Sequence, residues 1–423
     1  MKAGEEYFYI DTAGWGIYKY ETIIVSYFYA INNSPEMKML NFTFQNPTKV
    51  LFGKNMIEQI NREVPTNARV MITYGAESAK KYGVLDEVRA ALAGFDMTEF
   101  SGIEPNPEYE MLLKGIALAR EKEIEFLLAI GGGSVIDGTK FMAAAIPFDG
   151  DSSLLLENKG AAIRQALPVG CVVTLPASGS ETNSRAIISR KALMFKQAIM
   201  NSNLFPRFAV LDPEKTLTLP PRQVGNGVVD TFVHVIEQYM TYPVGGRVQD
   251  RLAEGLFLLL LEEGPKALAN PEDYDVRANL MWCATLGLNG LIGAGVPQDW
   301  AAHRLGYELT MLYGLDHAQT LAVLVPPMLY VRADGKRQKL LQYAERVWGI
   351  ASGSDKDRIS GAIENTRLFF EKMGVPTRLR DYGLAKMDID QVIRLLEMHG
   401  MVNLGENQDV TLDVMRKILN LCL

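Results

Sequence analysis

Asp230 and His234 stand four residues apart in GNGVVDTFVHVIEQYM (225–240), an apolar stretch that otherwise reads as good helix. That spacing puts a carboxylate and an imidazole on one helical face, a turn apart. A buried Asp is costly unless something pairs with it. The chain has four histidines, and His303 and His317 follow in the same half. One carboxylate and three imidazoles suit a divalent transition metal such as zinc or iron. On spacing alone a plainer reading stands beside it, because D-x-x-x-H on a helix is more often a capped or hydrogen-bonded pair.

Two loops in the first half have a different chemistry. The apolar run Phe126–Ile130 leads into Gly131, Gly132, Gly133 and Ser134, and a helix follows over 135–145. Glycines let backbone amides approach an anion closely, and the helix offers its positive N-terminus, so the loop could cradle phosphate. It matches neither the dinucleotide fingerprint nor the Walker pattern, so a ligand-free strand-to-helix turn is the alternative. Asp137, in the first turn of that helix, suits shaping the loop better than touching phosphate. The second loop, TLPASGSET (174–182), brings Thr174, Ser178 and Ser180 to another strand end. Its hydroxyls and amides could bind pyrophosphate or a nicotinamide amide, or form an ordinary polar turn.

The elements that must position these residues divide the chain. Over 37–219 the pattern predicts exposed strands at 40–53, a helix at 55–63 and a buried strand at 69–74. A helix at 78–93, a strand at 97–100 and a helix at 108–122 come next. A polar loop (148–165), a strand at 170–175, a hairpin over 186–200 and a strand at 208–211 complete it. Strands alternating with helices predict a parallel sheet covered by helices, with ligands beyond the carboxyl ends of the strands. Leu219-Pro220-Pro221 breaks the chain, and 220–423 reads as almost all helical. Residues 1–36, rich in Tyr and Phe without a clear period, read as an extension to a complete domain or an upstream artefact of start-site choice.

Composition narrows the partners. A net charge of −7 argues against nucleic acid or an anionic membrane. No run reaches the roughly 18 apolar residues of a membrane span. Thr22–Ile31 is too short and lacks the flanks of a signal peptide. Cys171, Cys283 and Cys422 are odd in number and widely spaced, which predicts small buried residues in a reducing, cytoplasmic compartment. Edge strands near 40–53 suggest a homodimer. His399 reads as a surface or cap residue. Trp282 and Trp348 read as core, and Trp300 as a pocket wall.

Together, GGGSVIDGTKFMAAA, TLPASGSET, the FAVLDP strand, NGVVDTFVHVIEQY and GLDHAQTLAVLVP resemble the iron-containing (group III) alcohol dehydrogenases. The resemblance covers about 37–423 and is nearest to the NADPH-dependent aldehyde reductase and butanol dehydrogenase branch. It implies a Rossmann-like dinucleotide-binding α/β domain, an all-helical metal domain and a cleft between them, the architecture of dehydroquinate synthase-like proteins. The implied ligands of iron or zinc are Asp230, His234, His303 and His317. The implied cofactor contacts are Gly131, Gly132, Gly133 and Ser134 for pyrophosphate, then Thr174, Ser178, Ser180 and Lys196. The implied chemistry is hydride transfer between NAD(P)H and a small aldehyde or primary alcohol.

The chain departs from the family pattern twice. Tyr307 stands where the family often has a second His four residues after the third ligand, and it could give a proton. Gly75 stands where NAD-preferring members tend to carry Asp, leaving room for a 2′-phosphate with Ser78, Lys80 and Lys81 nearby, though Glu77 opposes it. The expectation is therefore NADP, with NAD as the alternative. Other readings are a polyol or glycerol-type dehydrogenase, a dehydroquinate-synthase-like lyase, or a catalytically weak nucleotide- and metal-binding protein.

Overall fold

The computed structural model describes residues 38–75 and 78–423. The expected extension (1–36) and Glu77 lie outside the described residues. The strands are β1 (Lys49–Phe52), β2 (Arg69–Tyr74), β3 (Asp96–Phe100), β4 (Phe126–Gly132), β5 (Val169–Leu175), a separate antiparallel hairpin of β6 (Arg185–Arg190) and β7 (Phe195–Met200), and β8 (Phe208–Leu211). All but the hairpin form one parallel sheet in the order β1-β8-β5-β4-β2-β3. Parallel strands are buried on both faces and so read as unbroken apolar runs. That is why β2, β4 and β8 were legible in the sequence.

The chain runs from β2 out to β3, then returns to set β4 on the other side of β2. This reversal leaves a crevice beyond the carboxyl ends of β2 and β4, the usual ligand position in such a sheet. Helices α1 (Ser78–Lys81), α2 (Val84–Ala91), α3 (Tyr109–Glu121), α4 (Gly133–Ala145) and α5 (Ser153–Glu157) connect the strands. Separate apolar clusters fill the two sheet faces.

From Pro221 onward the chain is helical: α6 (Pro221–Tyr239), α7 (Arg247–Ala269), α8 (Tyr274–Leu288), α9 (Ala301–Tyr313), α10 (His317–Val331), α11 (Arg337–Arg346), α12 (Asp355–Lys372), α13 (Ile389–Met398) and α14 (Leu412–Cys422). They share one large core. A two-stranded hairpin pairing Asn403–Leu404 with Val410–Thr411 interrupts them.

Several expectations need correction. Only Lys49–Phe52 of the stretch 40–53 is strand, because the preceding residues pair with no neighbouring strand. The helix expected at 78–93 breaks at Gly83, whose φ of 77° is left-handed. The expected loop at 148–165 contains α5, which buries Leu155 and Leu156. Trp282 is 41% exposed and meets Phe52 edge-on, so it is not core. His399 caps α13 as expected, but its ring is not at the surface. It packs 4.4 Å from the Phe195 ring, with Nδ1 2.8 Å from Glu308.

Helix α6 packs closely against backbone of both halves, and its glycines allow it. A Cβ on Gly227 would lie 2.7 Å from the Pro176 carbonyl oxygen. A Cβ on Gly225 would run into the Met373 carbonyl. Both obstacles are backbone, which yields little. The helix therefore carries these glycines for closeness, although each costs about 1 kcal/mol of helix propensity relative to Ala. Gly255 in α7 meets nothing within 4 Å and has no such reason. Gly227→Ala should thus lower stability by about 1–3 kcal/mol despite the better propensity, whereas Gly255→Ala should raise it by about 0.5–1 kcal/mol. Paired urea denaturation curves check both signs.

Candidate active site

Three helices meet at the cluster read from the sequence. Asp230 and His234 project from one face of α6, His303 from the first turn of α9, and His317 begins α10. Asp230, His303 and His317 offer ligand atoms that lie within 4.8 Å of one another. Asp230 Oδ1 is 3.7 Å from His234 Nε2 and 3.7 Å from His317 Nε2. The His234 and His303 rings stack at 4.9 Å. Asp230 Oδ1 and His303 Nε2 are buried and have no hydrogen-bond partner. Orphaned buried acceptors converging in this way are what a divalent cation satisfies, and the donor set suits iron or zinc.

Burial pushes His234 and His303 down to about 4 and His317 well below its ordinary value. All three are neutral at pH 7, the form that ligates a metal. Glu237, absent from the sequence reading, orients one of them. Its carboxylate takes His303 Nδ1 and the Ala302 amide, leaving His303 Nε2 for the metal position. This carboxylate–histidine pairing fixes ring orientation and tautomer. The signal was present, since D-x-x-x-H-x-x-E keeps the Glu on the same helical face.

The proposed cofactor residues collect at the crevice. Gly75 follows β2, Gly131–Gly133 end β4 and open α4, and Thr174 and Ser178 lie at the end of β5. Ser78 opens α1. The glycines serve packing as well as ligand approach. A Cβ on Gly133 would collide with the Ser178 hydroxyl, and one on Gly131 would lie 2.6 Å from Val135 Cγ2. Ser134 Oγ accepts from the Asn106 amide at 3.2 Å, tying the loop to the preceding turn.

The side chains of Ser180 and Asp137 face the protein, and for Asp137 that is the loop-shaping part its position suggested. Ser180 is buried, and its hydroxyl donates to Asp137 Oδ1 at 2.5 Å while accepting from Lys140 Nζ at 2.9 Å. Asp137 Oδ2 accepts from the Ile187 amide. Both side chains are thus engaged by the protein and brace the loop from beneath. Lys140, unnoticed in the sequence, is the bolt. Its ammonium also donates to both Asn183 oxygens and to the Arg185 carbonyl. Burial lowers its pKa to about 8, against the pull of Asp137.

The hairpin β6–β7 links the halves. Lys196 Nζ donates to Asn106 Oδ1 at 2.7 Å and lies 4.8 Å from the centre of the Tyr307 ring. Burial holds it down at about 8, opposed by Asp137 and Asp230. Tyr307 stands 6.1 Å from His317, ring to ring, and burial raises its phenol well above the ordinary value. Trp300 is a wall of the site, 5.2 Å from the His303 ring, with the Arg185 guanidinium on its other contact at 5.2 Å. Arg185 was also missed, and no spacing rule marked it.

Family models for iron-containing alcohol dehydrogenase match residues 47–213, and for the C-terminal part of the Fe-containing alcohol dehydrogenase family residues 225–421. The chain belongs to the iron-containing alcohol dehydrogenase family. Among its relatives in that family, the NADPH-dependent aldehyde reductase YqhD of Escherichia coli is 59% identical over 382 residues, 90% of this chain and 99% of that protein. The NADH-dependent butanol dehydrogenase A of Clostridium acetobutylicum is 38% identical, covering 82% of this chain and 90% of that one. A solved structure of the substrate- and cofactor-free E. coli aldehyde reductase superposes with a TM-score of 0.86, covering 90% of this chain and all of that one at 56% identity.

Glu237→Gln should weaken metal binding about 10–100-fold, because the amide no longer holds His303 as the carboxylate does. Competition with a chromophoric chelator measures this directly. Unchanged affinity would remove Glu237 from the site's support.

Proposed function

We propose that this chain is a metal-dependent aldehyde reductase that draws hydride from NADPH and acts on small aldehydes, with primary alcohols as the reverse substrates. The observation that carries this reading is the set of orphaned buried acceptors of Asp230 and His303 beside His234 and His317, facing a glycine-lined strand-end crevice. A divalent metal held by these four residues supplies Lewis-acid polarisation of a carbonyl oxygen, and reduced nicotinamide supplies hydride.

The chain's own residues do the rest. Asp230, His234, His303 and His317 hold the metal, with Glu237 aiming one of them. Gly131, Gly132, Gly133, Ser134, Thr174 and Ser178 seat the dinucleotide, and the N-terminus of α4 favours its pyrophosphate. Lys196 joins the cofactor side to the metal side. The raised Tyr307 phenol keeps its proton at neutral pH, and its Oη gives that proton to the product oxygen. Trp300 covers the ligands and excludes water.

NADPH is preferred because Gly75 leaves the end of β2 without a side chain. Lys80 stands close by, its ammonium 5.4 Å from the Tyr74 ring. The cofactor named for the 59% identical relative supports the same choice. We divide the chain at 219–221, assigning cofactor to the first part and metal to the second. We place the enzyme in the cytoplasm, where three buried free thiols stay reduced. Among the described residues no helix is long and apolar enough to cross a membrane.

Oxidation of NADPH with butanal, before and after metal removal, tests the reading. Turnover should vanish on chelation, return with Zn or Fe(II), favour NADPH over NADH, and be lost in His303→Ala. Tyr307→Phe should lower kcat about tenfold or more with less effect on KM. Full activity of metal-free protein would overturn the proposal. We also infer a homodimer through β1, the end strand of the sheet among the described residues, near which Phe42, Phe44, Phe52 and Trp282 are exposed. Sedimentation equilibrium should return twice the chain mass, and a monomer at micromolar concentration would refute it.

A further inference from the structure

Beside the metal-ligand cluster stands a positive charge that the proposed reaction does not use. Arg185 begins β6, is half-buried, and lays its guanidinium 5.2 Å from the centre of the Trp300 indole. Trp300 lies 5.2 Å from His303 and 6.2 Å from His234, ring to ring. The charge is therefore one indole away from two of the proposed metal ligands. The root of the residue is fixed. Its amide donates to Asn183 Oδ1 at 2.9 Å, and its carbonyl accepts from the buried Lys140 ammonium at 2.9 Å.

No carboxylate pairs with this guanidinium among the described residues. The acids of the site are engaged elsewhere: Glu237 by His303 and the Ala302 amide, Asp137 by Ser180 and the Ile187 amide, and Asp230 at the metal position. Burial pushes the guanidinium below its ordinary range, Tyr307 opposes that shift, and the neighbouring Arg304 adds to it. The local potential is thus positive and unanswered. A partly desolvated cation without a counter-charge is costly and gains most from an anionic ligand. The cofactor's 2′-phosphate is not that anion, because its proposed place is beyond β2 at Gly75. Arg185 stacks instead on the indole that covers the metal ligands.

We propose that Arg185 is a specificity-determining residue that binds the carboxylate of a short aldehyde acid, whose aldehyde group enters the metal site past Trp300. The planar guanidinium fork matches a carboxylate with two parallel hydrogen bonds, and stacking on Trp300 holds the fork in its plane. The hydride step is unchanged; the added contact sets which aldehyde is held. This inference rests on the aldehyde-reductase reading and deepens it.

The test compares succinate semialdehyde with butanal, its uncharged counterpart of equal chain length, in the metal-loaded enzyme with NADPH. The readout is the ratio of their kcat/KM values, which isolates charge recognition from any general loss. In Arg185→Gln that ratio should fall about tenfold or more, mainly through KM of the semialdehyde. Arg185→Lys should recover part of it, keeping charge but losing the fork. In the unaltered enzyme, added salt should raise KM for the semialdehyde and leave that for butanal nearly constant. This last measurement stands even if the variants fail to fold. An unchanged ratio in Arg185→Gln, or equal salt response for both substrates, overturns the role of Arg185 while leaving an aldehyde reductase. Failure of the unaltered enzyme to reduce either aldehyde overturns the parent reading and this one with it.

Discussion

A carboxylate oxygen buried without a partner is an unstable thing to build a protein around, and Asp230 has one. Three neutral imidazoles approach the same point with their own lone pairs. Acceptors without donors repel one another unless a cation sits among them. Much of the helical half can be understood as the means of keeping that arrangement assembled. Helices α6, α9 and α10 each bring a ligand, and none can move without changing the distances that make the site.

The start of α9 is the most elaborately held of these. Asp299 accepts from the Ala301 amide, and its own amide donates to the Glu237 carbonyl. Its second oxygen meets Arg332 and, at 2.8 Å, Lys336. Those two cations also bind Glu406, at 2.9 Å and 2.7 Å. Burial alone would raise the Asp299 carboxyl, but Lys336 and Arg332 prevail and hold it at about 2. Breaking a buried network of this kind by removing one member costs about 3–5 kcal/mol, because the remaining charges lose compensation. The chain thus spends a fully charged cluster on one corner, with Asp299 one residue before Trp300, which forms a left-handed turn at φ 61°, and four before His303. The hairpin 403–411 exists in part to deliver Glu406 and Asp409 to that cluster.

The same logic operates across the two halves. Gly227 brings α6 against the Pro176 backbone of the first half, and Lys140, Ser180 and Asp137 lock the second strand-end loop to α4. The hairpin β6–β7 then carries Lys196 and Arg185 across to Tyr307 and Trp300. The glycine-rich strand-end loops and the Asp230–histidine cluster are therefore held together, with charged groups of both halves interleaved between them.

The sequence by itself determined the alternation of buried strands and helices, the change to helices near Pro220, and the ligand types on α6. Each is a local matter of period, apolar run or turn residue, and such signals survive without knowledge of the neighbours. It also carried Glu237 in plain view, at helical spacing from His234, although that residue went unread. What only the tertiary structure decided was the direction in which each polar side chain faces. Ser180 sits in a motif that suggests ligand contact, yet its hydroxyl is buried between Lys140 and Asp137 and braces the loop. His399 and Trp282 exchanged expected roles, one packed against Phe195 and the other left exposed, because burial depends on which distant element covers a residue. Arg185 had no signature at all. Its surroundings, an indole more than a hundred residues away and no paired acid among the described residues, are set only by folding.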